Sequence, residues 1–180
     1  MAKILLNSDE TFNLAGSNNE VIGRSGGNER VIIFGGVTDN ELDGNIEGVD
    51  VAGTAAQTTF QVNASGQLEI LVNGSAVGVF TGGLNASVNV RMGDGNVTLT
   101  QTGGAGWEIA DPDNAADTSD ISAGNPATGD AVTLGSETSD SGGVETPDTF
   151  TLSNGGNVFE GETASFIVNV PVQSQATSVD

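Results

Sequence analysis

Apolar residues along this chain come in short runs separated by glycine, asparagine and aspartate. In residues 1–57 the runs are Ile4-Leu5-Leu6, Val21-Ile22, Val31-Ile32-Ile33-Phe34, Ile46 and Val49-Asp50-Val51. Each is too short for a helix and ends in turn formers, so each reads as a short strand. Their spacing of roughly ten residues suits stacked coils or a tight meander.

Residues 58–109 alternate more regularly. Thr58-Thr59-Phe60-Gln61-Val62 precedes Ser65-Gly66, and Gln67-Leu68-Glu69-Ile70-Leu71-Val72 runs into Asn73-Gly74. Asn-Gly between alternating runs predicts a hairpin, because a type I′ turn needs two residues at positive φ. The return strand spans 75–80. Val88-Asn89-Val90-Arg91-Met92 and Val97-Thr98-Leu99-Thr100 flank Gly93-Asp94-Gly95-Asn96, a second hairpin. The pattern predicts an antiparallel sheet with one buried face, and places Trp107 in the core.

Residues 110–148 change character. Asp111, Asp113, Asp117, Asp120, Asp130, Glu137, Asp140, Glu145 and Asp148 occur with no positive charge between them. The stretch reads as an acidic low-complexity connection, with Val132-Thr133-Leu134 its only strand-like island. Strand pattern returns in 149–180. Residues 164–172 form the longest β run, with Phe166, Val168, Val170 and Val172 on one face. Pro171 lacks an N–H and restricts that end to an edge. Thr11-Phe12-x-Leu14, with Asn19 and Gly23, recurs at the same offsets as Thr149-Phe150-x-Leu152, with Asn157 and Gly161. The echo reads either as two similar strand-turn units or as two segments that occupy equivalent places in neighbouring subunits.

The expected fold is therefore all-β: an antiparallel sandwich or short β-solenoid with a long acidic connection and a C-terminal strand. The expected organisation is a β-rich core over 1–109, the connection over 110–148 and the C-terminal strand segment over 149–180.

Composition narrows the function. Of 180 residues, Lys and Arg number 4 and Asp and Glu 24, giving a formal net charge of -20. Nucleic-acid binding and adhesion to anionic membranes need the opposite sign. With no Cys and no His there is no disulfide, Cys/His zinc site, thiol nucleophile or His-based triad. Tyr is absent and Lys3 is the only lysine, so general bases reduce to carboxylates. A glycosidase pair would need aromatic sugar platforms that this chain scarcely offers. The chain reads as a non-enzyme. No stretch approaches the roughly 18 to 20 apolar residues of a membrane span. The run at Ile4-Leu5-Leu6 is too short for a signal-peptide core. A cysteine-free, acidic chain rich in Gly, Asn, Thr and Val fits a secreted or cell-surface protein. Export would then use a one-step route that reads the C-terminus.

Two acidic constellations are candidate metal sites. Asp39, Glu41, Asp43, Asn45 and Glu47 place oxygen ligands at alternate positions, which share one face of an extended segment. Such a row repels itself, and Ca2+, taking six to eight oxygens, relieves it. Asp111, Asp113, Asp117 and Asp120 form a second, looser oxygen set. It resembles the start of an EF-hand loop but lacks Gly at the sixth position and Glu at the twelfth.

The stretch Val21-Ile22-Gly23-x-x-Gly26-x-Asn28-Glu29-x-Val31-x-Ile33-x-Gly35-Gly36-Val37-Thr38 is followed by Leu42-Asp43-x-Asn45-Ile46-Glu47-x-Val49-Asp50-Val51. Together they resemble a module of RTX-type adhesins and surface-layer proteins, which bacteria export by type I secretion. The resemblance covers about residues 9–100, and residues 42–51 are its most specific part. It implies a β-rich, calcium-dependent extracellular module with structural or adhesive work. The tandem Gly-Gly-x-Gly-x-Asp calcium repeat of RTX proteins is absent, so β-roll calcium sites are not implied. The chain is also far shorter than the usual member. The expected function is a structural protein that self-assembles into a filament or surface layer by β-strand addition between subunits, stabilised by calcium. The alternative is a calcium-dependent adhesin or glycan-binding module of a larger surface protein, with a cell-surface glycan as partner.

Overall fold

The computed structural model describes residues 1–84, 87–103 and 106–139. The strand expected at 164–172 and the second copy of the echo at 149–152 lie outside the described residues. The described chain is an all-β sandwich of two seven-stranded sheets.

Its first third is a short solenoid. Strands β1 (Ala2–Leu5), β3 (Asn19–Ile22) and β5 (Asn40–Leu42) stack in parallel in one sheet. Strands β2 (Thr11–Leu14), β4 (Glu29–Ile33) and β6 (Ile46–Val51) stack in parallel in the other. The chain alternates between sheets at each corner, so every coil contributes one strand to each. The corners need backbone that bends sharply. Asp9, Asn18 and Asp39 supply it at φ of 62°, 59° and 57°. Asn and Asp tolerate the left-handed region because their side chains bond locally.

Successive corners are tied by an asparagine ladder. Asn19 donates its backbone N–H (3.1 Å) and its Nδ2 (3.2 Å) to Asn40 Oδ1. Fully buried Asn40 donates its own Nδ2 to the carbonyls of Thr38 and Val77. A buried amide with these partners fixes register, since sliding by one residue would orphan it.

Antiparallel hairpins then extend both sheets. Strands β7 (Thr58–Val62), β8 (Leu68–Val72) and β9 (Ser75–Phe80) join the first sheet, with β9 parallel to β5. Strands β10 (Val88–Met92), β11 (Gly95–Gly103) and β12 (Gly106–Asp111) join the second, with β10 parallel to β6. The antiparallel sheet expected over 58–109 is thus two half-sheets on opposite layers, because the chain changes sheet between β9 and β10. The Asn73-Gly74 turn has the expected positive φ at both residues, 51° and 80°. The sheets bury one continuous apolar layer that includes Val21, Ile33, Val49, Phe60, Ile70, Phe80, Val90, Leu99 and Ile109. Trp107 lies in this core, as its setting in the sequence implies.

The acidic segment carries a strand where none is expected. Strand β13 (Asn114–Ile121) pairs with β12 along an outer edge of the second sheet. Only Ile121 is buried on it, so it has no apolar alternation to betray it. Strand β14 (Ala127–Thr128) closes the first sheet beside β7. Val132-Thr133-Leu134, the expected island, is not a strand. Val132 packs into the core directly after a 3-10 turn at Gly129–Ala131.

Candidate functional site

The solenoid corner that feeds β2, β4 and β6 carries a glutamate in each coil: Glu10, Glu29 and Glu47. Thr11 is in register with Arg30, and the Arg30 N–H donates to the Glu10 carbonyl at 2.9 Å, so Glu10 and Glu29 occupy equivalent places. The next step is irregular. Glu29 pairs with Ile46 but Arg30 pairs with Gly48, which leaves Glu47 as the extra residue of a bulge. The bulge turns Glu47 towards Glu29, and the Glu29 N–H donates to Glu47 Oε2 at 2.9 Å.

The Glu29 carboxyl group is the unusual feature. Glu29 is 1% exposed, and neither Oε1 nor Oε2 has a hydrogen-bond partner among the described residues. The loop before it folds against it. A Cβ at Gly27 would stand 2.7 Å from Glu29 Oε2, so the Gly27 backbone lies directly against this carboxyl group. Burial, and then the nearby Glu29 carboxyl, raise the pKa of Glu47 above its ordinary 4.5, against a lowering by the Glu29 N–H. Glu10 is spent on its own corner, accepting from Asn7 N–H at 2.7 Å and Asn7 Nδ2 at 3.0 Å.

The row from Asp39 to Glu47 does not lie on one extended face. Asp39 sits in a corner and accepts from Thr38 Oγ1 at 2.9 Å. Glu41 lies on β5 beside Glu20, which Lys3 neutralises at 3.1 Å. Asp43 and Asn45 form the next corner. Asp43 Oδ1 accepts from the N–H groups of Gly23 (3.1 Å) and Asn45 (2.8 Å), and Asp43 Oδ2 accepts from Asn45 Nδ2 at 2.9 Å. Glu47 is already across on β6. The corner breaks the row because β5 ends at Leu42 and the chain changes sheet.

The second set is also spread out. Asp111 is buried at the end of β12 and accepts the Asp113 N–H at 2.8 Å, while Asp113 is exposed. Asp117 accepts the Thr133 N–H at 2.8 Å, and hydrogen bonding from Thr133, its side chain first and this N–H second, lowers the Asp117 pKa. Asp120 stands on β13 directly opposite Glu108. Among the described residues no three acidic side chains gather round one point.

Sequence reasoning singled out Glu47 but not Glu29, whose role depends on a register shift that no local pattern announces. It also missed the ion pair of Arg30 with fully buried Asp50, which Asn89 flanks by accepting from Arg30 Nη2 at 3.2 Å. Among the described residues no helix is long and apolar enough to cross a membrane. Comparison with known protein families, with curated proteins and with solved structures gives no match.

Proposed function

We propose that this chain is an extracellular structural subunit that self-assembles into a filament or surface layer by β-strand addition, with calcium offsetting its acidic surface. One observation carries the reading. The first coil leaves β1 and β2 as the outer strands of both sheets at one end of the sandwich, with no strand beyond them among the described residues. Exposed apolar side chains accompany that edge: Leu5 is 71% exposed and Met1 76%.

Outer strands present unpaired N–H and C=O groups, and proteins that remain monomeric blunt such edges with charge, proline or bulges. Here β1 has one charged residue, Lys3, which is paired with Glu20. A neighbour's strand added to this edge gains main-chain hydrogen bonds and covers Leu5, worth about 1.5–3 kcal/mol for a fully buried leucine. The β run at 164–172 is the donor that the sequence offers. The recurrence of the β2 pattern Thr11-Phe12-x-Leu14 at 149–152 agrees with a C-terminal segment taking a place equivalent to β2.

A formal net charge of -20 opposes close packing of copies, and divalent cations lower that barrier. Negative-stain microscopy of the pure full chain, with EDTA and with millimolar calcium, tests the reading. Fibres or sheets that depend on calcium support it, and monomers under both conditions overturn it.

A further inference from the structure

We propose that Glu29 and Glu47 form a divalent-cation site at the corner between β4 and β6, with Ca2+ as its ion. This deepens the calcium component of the proposed function. It is built within one chain, so it does not depend on assembly.

A buried ionised carboxylate without a partner is strongly unfavourable and must gain a proton, a cationic side chain or a metal ion. The described cationic side chains do not serve Glu29. Strand alternation puts Arg30 on the opposite face, where it holds Asp50 and Asn89. Lys3 is paired with Glu20, and Arg91 with Glu137. Arg24, in the adjoining loop, is exposed and makes no hydrogen bond to Glu29.

A proton alone would suit one carboxyl in apolar surroundings. Two carboxyls at one corner can instead share a proton, and the calcium titration separates the two cases, because a pair satisfied by a shared proton binds no calcium. Among the described residues neither Glu29 oxygen accepts a hydrogen bond, which suits bidentate coordination, a mode calcium uses with glutamate. The donors are all oxygen, which favours calcium or magnesium over zinc. Two carboxylates on different strands, brought together by a bulge, make an irregular set. Calcium accepts such a set and magnesium, demanding an octahedron, does not.

The test is calcium titration of the cation-stripped full chain by calorimetry at neutral pH, with thermal melts in parallel. The wild type is expected to bind at one site per chain and to melt higher with calcium. Glu29→Gln and Glu47→Gln are each expected to weaken binding about tenfold or more, since they remove first ligands and even outer partners cost that much. Asp113→Asn, at an exposed turn outside the corner, should bind as wild type. Absence of calcium binding by the wild type overturns the proposal, as does unchanged affinity in Glu29→Gln. If Glu29→Gln does not fold, Glu47→Gln decides by the same criterion. Assembly is scored separately by light scattering: calcium binding lost in the two Gln variants upholds the site even where no fibres form.

Discussion

Glu29 and Glu47 meet across a one-residue register shift between β4 and β6, so that the backbone N–H of Glu29 serves the carboxylate of Glu47 at 2.9 Å while the Glu29 carboxyl group is buried with no donor among the described residues. The pairing sets two carboxyl groups side by side in a chain already at a formal charge of -20. Its consequences can be read in solution without any knowledge of a ligand.

The first is pH dependence in the absence of divalent cations. Glu47 has its pKa raised in the folded state above the ordinary 4.5, by burial first and Glu29 next. Between 4.5 and that raised value the folded state holds more protons than the unfolded one, so stability falls as pH rises. Asp117 works in the opposite direction. Its pKa is lowered below 3.8 by Thr133, so its contribution is present above 3.8 and is lost as pH falls through the lowered value. Melting in EDTA should therefore show a rising midpoint as pH drops from neutrality towards 4.5, and Glu47→Gln should flatten that rise. A midpoint that climbs steadily from 4.5 to neutrality would contradict this.

The second concerns Arg30. Its guanidinium neutralises Asp50, whose side chain is fully buried. Arg30→Met takes that cation away and should cost about 3–5 kcal/mol in denaturant unfolding. Arg30→Met combined with Asp50→Leu should recover most of the loss, because the buried charge goes too. A loss under about 1 kcal/mol for the single variant would assign the pair to the weak surface class.

The third concerns the hairpin between β8 and β9. Gly74 sits at φ 80°, beside Asn73 at 51°. Gly74→Ala should cost about 1–2 kcal/mol, the price of a Cβ in the left-handed region. Asn73→Gly should change stability little, because glycine adopts the same φ freely. Equal effects of the two variants in chemical denaturation would contradict the turn assignment.

The hairpins were legible in the sequence because Asn73-Gly74 punctuates an alternation that the core imposes on both sides. The stacking of the solenoid was legible only as a spacing. Its register resides in Asn19 bonding to Asn40, a contact between corners that periodicity cannot forecast. Strand β13 stayed hidden because an outer strand needs no apolar face, and Asn114–Ile121 has Ile121 alone buried. Of the candidate site, Glu47 stood out among its acidic neighbours, while Glu29 entered only as one position of the motif ahead of Val31, with nothing to mark it as a ligand. What sets it apart is a bulge, and a bulge is a relation between two strands.

The measurement that bears most directly on self-assembly is negative-stain microscopy with calcium, comparing the full chain, Leu5→Lys and a deletion of 163–180. Leu5 is 71% exposed on β1, so the lysine should leave the melting midpoint of the subunit nearly unchanged while placing a charge on the edge. Fibres or sheets are expected from the full chain, and dispersed single particles from both Leu5→Lys and the deletion. Assembly of both variants like the full chain, or a full chain that remains monomeric in calcium, would contradict this.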